Sequence, residues 1–313
     1  MNYLFVVNPI AGGVDRTEEI RALAEKTFAG RPDDRYEIYV TKSKGDATKE
    51  IKRRAEELEK SGAGNDGVAL RVLSCGGDGT FNECCNGAAH HGCLAVCPFP
   101  VGTGNDFCRM FGEQKELYRN LPAILDGSIH PIDLANANGH YCACIASVGF
   151  DARVGMKVHN YTHLPLCKGP GAYVASLLVE LCKGMTRRVK FTCGDYHYEG
   201  EYTLCAVCNG RHYGGGFNPS ANAMPDDGIL DIYFIKKIGF LKFLTNVGKY
   251  KNGRSDEIEI VTHLRGVSVS FEFDEDTEIN CDGEEIRGTR AEIKLEPRCL
   301  NLIVPKGVSF FNK

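Results

Sequence analysis

No stretch of the 313-residue sequence is apolar over enough residues to cross a bilayer; AYVASLLVELC is about half of the roughly 20 residues such a helix needs. There is no G-x-x-x-x-G-K-[ST] loop, and no G-x-G-x-x-G opens a helix after the first strand-like run. The first absence excludes a P-loop enzyme and the second weighs against a dinucleotide-binding fold. Basic residues are not in excess: 37 Lys and Arg face 41 Asp and Glu, for a net charge of −4. No nucleic-acid partner is therefore expected, while a local basic patch stays compatible with brief contact at a membrane surface. No second C-x-x-C accompanies Cys205 and Cys208 to complete a zinc site. The fifteen cysteines read instead as small buried apolar residues in a reducing compartment. The opening MNYLFVVNP enters a strand pattern at once, without the basic region and cleavage site of a signal peptide. A cytoplasmic protein is expected, of one large domain or two ordinary ones.

What is present is an alternation. Apolar runs recur at YLFVVN (3–8), YEIYVT (36–41), VALRVLSC (68–75) and LAVCPFP (94–100), with helical patterns between them. In DATKEIKRRAEELEKSG, Ala47, Ile51, Ala55 and Leu58 share one face, Asp46 is placed to cap the start, and Gly62 follows the end. Strand alternating with helix implies a parallel sheet covered on both faces, and such sheets bind ligands beyond the carboxyl ends of their strands. Glycine-containing loops fall at that edge: NPIAGG (8–13), TKSKGD (41–46), SCGGDGT (74–80) and PVGTGNDF (100–107). Alone, each reads as a turn. Together they point to a nucleotide site, since glycine lets backbone approach phosphate and helix N-termini offer N–H groups to an anion. Asp78, the one acid among the glycines, would repel phosphate unless it held a cation, and Mg2+ is the usual one.

From about residue 130 the pattern turns to β. HPIDLANANGHYCACIASVGF reads as two strands joined at Asn138-Gly139. Strand-like runs continue through RRVKFTC, YHYEGEYTLCAVCNG, GILDIYFI, GVSVSFEF, TEINCDGEEI and AEIKLEP, interrupted by one helix at 171–184. MPDDGILD (224–231) sets Asp226, Asp227 and Asp231 around a glycine, and NCDGEEI (280–286) places Glu284 and Glu285 after a second Asp-Gly. Each stretch reads equally well as hairpin chemistry with solvated acids. The polar stretch 159–173 is either an ordinary loop or the border of a lipid entrance.

In order, NPIAGG, GGDGTFNE, VGTGNDFCR, YGGGFNPSANAMPDDGILD and INCDGEEI resemble the soluble bacterial diacylglycerol kinases. These belong to the lipid-kinase family that also holds sphingosine, ceramide and YegS-type kinases. The motifs span residues 8–286. GGDGT alone is shared with NAD kinases and phosphofructokinases; NPxAGG, GTGNDF and the late DGE together are specific. The resemblance implies an α/β N-terminal domain over 1–130 with a parallel sheet of the NAD kinase/phosphofructokinase type, and an antiparallel β-sandwich lipid-substrate domain over 131–299. The tail, about 300–313, is a candidate to return to the first domain.

The implied activity is direct transfer of the γ-phosphate of ATP, with Mg2+, to a lipid hydroxyl: diacylglycerol giving phosphatidic acid. A sphingoid base, phosphatidylglycerol or a non-lipid alcohol are other acceptors of the same class, and a silent nucleotide- or lipid-binding regulator is the alternative of another class. Intact Asp78 and Glu284 argue against the regulator. The resemblance puts Asn8, Pro9, Ile10, Ala11 and Gly12 on the nucleotide, with Thr41 after the second strand. It gives the phosphates to Gly76, Gly77, Asp78, Gly79, Thr80, Phe81 and Asn82, with Asp78 near the catalytic Mg2+, and Thr103 completes the ATP site. Glu284 is the implied general base. A second, structural Mg2+ would take the Asp227 carboxylate and the carbonyls of Met224 and Ile229. Cys108 stands where most relatives carry alanine, a small departure. The implied partners are a lipid acceptor, met peripherally at the inner membrane surface, and a second copy in a homodimer; a cleft between the domains would align hydroxyl and phosphate.

Overall fold

The protein is described here from a computed structural model, which covers residues 1–63, 67–102, 104–157, 176, 179–181 and 183–311. The chain divides into one unit of Met1–Leu134 with Pro297–Lys313 and another of Ala135–Glu296.

In the first unit, strands β1 (Asn2–Val7), β2 (Arg35–Val40), β3 (Leu70–Gly76) and β4 (Leu94–Pro100) are all parallel, in the order β2-β1-β3-β4. The central β3 and β4 are almost wholly buried, which is why they read as unbroken apolar runs rather than alternations. β2, at the edge, is half exposed. The chain returns at its far end, where Leu302 pairs in parallel with Val96.

Helix α1 (Thr17–Phe28) follows β1 and α2 (Asp46–Ser61) follows β2. α2 buries Ala47, Ile51 and Ala55. It ends at Gly62 with φ 71°, whose N–H donates to Glu59 O while Ala63 N–H donates to Leu58 O, a Schellman closure. Its start differs from expectation. Asp46 is the first helical residue rather than the cap, and its carboxylate accepts from Lys42 N–H at 2.8 Å and the Tyr39 hydroxyl at 3.0 Å. The leading amides of Gly45 and Ala47 donate instead to the two oxygens of Glu83, at 2.8 and 3.1 Å. Glu83 lies on α3 (Asp78–Ala88), so the neighbouring helix supplies the cap. Short helices α4 (Asp106–Arg109) and α5 (Leu121–Leu125) follow β4, and β5 (Ser128–Ala137) leads out of the unit.

The second unit is antiparallel: β6 (His140–Cys142), β7 (Ile145–Gly149), β8 (Arg187–Cys193), β9 (Tyr196–Cys208), β10 (Leu230–Lys236), β11 (Val261–Gly266), β12 (Ser268–Cys281) and the start of β13 (Glu284–Val304). β8 bonds the first halves of β9 and β12, and β7 bonds their second halves. The strands thus wrap around one core, where Phe191 stacks on Phe234 at 4.4 Å beside Phe271 and Tyr202. Helices α6 (Phe150–Lys157) and α7 (Phe240–Lys251) accompany them. α7 was not anticipated from sequence, and the helix expected at 171–184 lies largely outside the described residues, as does the stretch 159–173.

The thirteen described cysteines form no disulfide, and all but Cys299 are buried. Burial pushes the Cys84 thiol up to about 12, so these side chains act as small core residues. Among the described residues no helix is long and apolar enough to cross a membrane.

Candidate active site

Because the strands of the first unit are parallel, the loops after β1, β2, β3 and β4 leave the same edge. Three of them touch closely. The Asn8 amide donates to the Thr80 hydroxyl at 3.1 Å and its Oδ1 accepts Ile10 N–H at 3.2 Å, joining the first loop to the start of α3. Val101 and Gly102 N–H both donate to Gly76 O, at 3.0 and 3.1 Å. A Cβ on Gly102 would stand 2.8 Å from Gly77 Cα, so these two loops approach as only glycine permits. A Cβ on Gly12, at φ 68°, would stand only 3.1 Å from Val101 O. Thr41 is tied down from the β2 side, its N–H donating to Val7 O at 2.9 Å.

The side chains of Thr80, Phe81 and Asn82 are buried in the first turn of α3, with Phe81 against Phe107 at 4.6 Å between ring centres. What α3 offers outward is its N-terminal backbone, with exposed Gly79, and Ile10 stands 80% exposed on the loop opposite. Pro9 and Ala11 are half-buried beside it. Thr103 lies outside the described residues.

Asp78 is the pivot of this group. Its Oδ1 accepts Asp106 N–H at 2.5 Å at the start of α4, and a Cβ on Gly104 would collide with its Oδ2. Burial pushes the carboxyl above its ordinary value, against the pull of the Asp106, Asn105 and Phe107 amides and of Arg109. Arg109 in turn pairs with buried Asp106 at 3.1 Å. Asn105 completes the turn at φ 55°, its amide donating to Gly102 O at 2.7 Å. As placed, the Asp78 carboxylate welds the GGDGT and GTGNDF loops together.

In the second unit the Asp-Gly turns have different contents. Asp282 (φ 51°) and Gly283 (φ 93°) form a two-residue hairpin between β12 and β13. The Asp282 carboxylate accepts three backbone N–H groups, from Ala143 at 2.6 Å, Cys144 at 3.0 Å and Ile145 at 2.8 Å. Sequence reasoning gave Asp282 no role beyond its turn, and nothing in the sequence around Ala143 and Cys144 signals that their amides bond to it. Glu284 begins β13, half-buried, and exposed Glu285 pairs with Arg287 at 3.1 Å.

The MPDDGILD turn brings Met224, Asp227 and Ile229 together. Asp227 N–H donates to Met224 O at 3.5 Å and Ile229 N–H donates to Asp227 Oδ1 at 3.2 Å. Their carbonyl and carboxylate oxygens are a hard, all-oxygen donor set, which fits Mg2+ by chemistry, although Arg265 already pairs with Asp227 Oδ2 at 3.1 Å. Among the described residues no group of three or more His, Cys, Asp or Glu side chains is arranged to hold a metal. Asp231 is not a solvated acid: it is 4% exposed on β10, between His263 at 2.9 Å and Arg265 at 3.1 Å.

A parallel α/β unit with glycine loops at one strand edge, and a β-sandwich unit carrying DDG and DGE turns, together define the lipid-kinase class. Residues 2–137 match the diacylglycerol kinase catalytic domain, and residues 144–304 match the YegS C-terminal NAD kinase beta sandwich-like domain. The chain belongs to this diacylglycerol kinase and YegS-type lipid kinase family. A Pseudomonas aeruginosa PAO1 relative named "Probable lipid kinase YegS-like" is 29% identical over 292 residues, covering 93% of this chain and 91% of that one. An Escherichia coli SMS-3-5 relative named "Probable lipid kinase YegS" is 28% identical over 277 residues, 86% of each chain. The crystal structure of a diacylglycerol kinase from Bacillus anthracis str. Sterne superposes with a TM-score of 0.68 at 26% identity, covering 98% of both chains.

Proposed function

We propose that this chain transfers the γ-phosphate of ATP to the hydroxyl of diacylglycerol, giving phosphatidic acid. The observation that carries the reading is the convergence of the Asn8–Gly13, Gly76–Gly79 and Val101–Asp106 loops at separations only glycine allows, bonded through Asn8, Gly76 and Asp78. Such a surface of backbone N–H groups at a helix start is suited to phosphate. Phosphoryl transfer asks a protein mainly for positioning and charge neutralisation. The loops would hold the nucleotide, and Asp78 holds the loops. Glu284 would take the acceptor proton as the lipid oxygen bonds to γ-phosphorus and the bond to the departing ADP oxygen breaks, with no phosphoenzyme. Mg2+, bound with ATP, would supply charge neutralisation, and the Met224–Ile229 turn would hold a second ion that steadies the unit bearing Glu284. The acceptor is met peripherally at the cytoplasmic face of the membrane. Family membership and the relatives' names support a lipid acceptor; diacylglycerol is the specific part of the proposal.

The test is transfer from labelled ATP, with Mg2+, to detergent-dispersed diacylglycerol, sphingosine, ceramide and phosphatidylglycerol, in parallel with Glu284→Ala. Labelling of diacylglycerol, lost in the variant, is expected. Labelling of another lipid would move the substrate, and no labelling by a folded, ATP-binding protein would overturn the reading.

A further inference from the structure

Helix α7 has the sequence FLKFLTNVGKYK, with no carboxylate and two different apolar faces. The inner face is anchored. Phe243 meets Phe150 edge-on at 5.5 Å, and the buried Tyr250 hydroxyl lies 3.0 Å from that of Tyr213, which donates to Asp151 at 2.6 Å. The approach to the helix is also fixed, with Lys237 N–H on Glu201 O at 3.0 Å and Ile238 N–H on Thr203 Oγ1 at 3.2 Å. This is a rigid platform.

The outer face presents Phe240, Leu241 and Leu244, exposed by 47%, 77% and 49%. Leu244 lies one turn on from Phe240 and Leu241, at i+4 and i+3, so the three form one patch at the start of the helix. Scattered exposed apolar residues are ordinary. Three large ones together on a well-anchored helix mark a surface with something to meet. The charge around them narrows what that is. Between residues 236 and 251 the chain carries five lysines and no acid, within a protein of net charge −4. Lys242 is exposed on the helix itself, Lys236 and Lys237 just before it and Lys251 at its end, while Lys249 in the last turn is half-buried. Lys237 pairs with Glu201 at 2.7 Å, a surface bridge that contributes little, and the Lys249 ammonium reaches Glu257 O at 3.4 Å.

A phenylalanine and two leucines flanked by lysines match a membrane with apolar depth below an anionic surface. A nucleic acid would have no use for the leucines, and an apolar protein face none for the lysines. We propose that the start of α7 is the membrane-docking element, inserting Phe240, Leu241 and Leu244 among anionic lipids with Lys242 at the headgroups. It rests on the reading that the acceptor is a bilayer lipid.

The test is co-sedimentation of the full chain, without ATP, with phosphatidylcholine vesicles made with and without phosphatidylglycerol. It is run on the wild type, on Leu241→Glu/Leu244→Glu and on Lys242→Glu. The double variant is expected to lose at least about tenfold of its partition to mixed vesicles. Lys242→Glu should lose roughly fivefold or more on mixed vesicles and little on neutral ones. All three should share one melting temperature, since the residues are exposed. Equal partition of wild type and double variant would overturn docking by α7, as would a wild type that ignores mixed vesicles. So would a wild-type dimer that the double variant splits while vesicle binding persists, because a second copy would then cover the face. Partition is read without transfer, so docking that holds while no lipid is phosphorylated would sink the kinase reading alone. Bilayer docking that fails while detergent-dispersed diacylglycerol is labelled would sink this inference alone.

Discussion

Replacing Asp282 by alanine is expected to cost stability, whereas replacing Glu284, two residues on, is expected to cost only transfer. The Asp282 carboxylate collects N–H groups from Ala143, Cys144 and Ile145 at 2.6–3.0 Å, fastening the hairpin to the start of β7. Hydrogen bonds to a charged acceptor contribute about 1.5–3 kcal/mol each. Three that share one carboxylate on a half-buried turn do not add fully, so about 3–5 kcal/mol is the expected loss. That is a large share of the roughly 5–15 kcal/mol by which domains are stable. Asparagine keeps one acceptor oxygen and should fall between. Urea unfolding followed by circular dichroism, with transfer measured on the same preparations, separates the two acids. Asp282→Ala should move the transition of the β unit to lower urea, and Glu284→Ala should leave it within about 1 kcal/mol of wild type while transfer disappears. The reasoning is refuted if Asp282→Ala unfolds with the wild-type midpoint.

Gly102→Ala places a methyl 2.8 Å from Gly77 Cα and so must part the two loops; calorimetry should show at least about tenfold weaker ATP binding, and unchanged affinity would count against the loop assignment. Glu83→Gln keeps one acceptor for the two α2 amides, at Gly45 and Ala47. It should destabilise by about 1–2 kcal/mol, read as a lower thermal midpoint. Burial pushes the Asp151 carboxyl from its usual 3.8 to about 6, despite the hydrogen bond from Tyr213. An acid raised on folding contributes most at low pH and loses that contribution as pH climbs through the folded value. The wild type should therefore gain on Asp151→Asn as pH falls from 7 to 4, by roughly 3 kcal/mol at most. Parallel stability curves over that range would show that Asp151 does not titrate as described.

The strand edge with its glycine loops was legible because buried parallel strands read as plain apolar runs, each stopped by glycine, as β3 and β4 are. The hairpin at Asn138-Gly139 was equally plain, with φ values of 49° and 91° at its two residues. Other features depended on partners far along the chain. Asp46 looked like a cap, but Glu83 from the next helix reached the amides first. The run after Gly139 read as one strand because nothing nearby announces that Asp282 seizes its backbone at 143–145. α7 escaped notice because Phe240, Leu241 and Leu244 fill the face that helical periodicity expects to be polar. The motif residues of the site were visible as types and spacing. That Asp78 spends its carboxylate on the α4 amides is a three-dimensional fact.

The return of residues 297–313 to the first unit sets an order of events during synthesis. The sheet of that unit lacks the strand beside β4 until Leu302 has left the ribosome, after all 162 residues of the second unit. At the roughly 5–20 residues per second of translation, the delay is on the order of 10–30 s. During that interval β4 presents an unpaired edge, the kind of surface on which nascent chains pair wrongly with one another. The β unit, contiguous in sequence, has no such wait. Demand for chaperones should therefore fall on the half of the molecule that is made first and finished last.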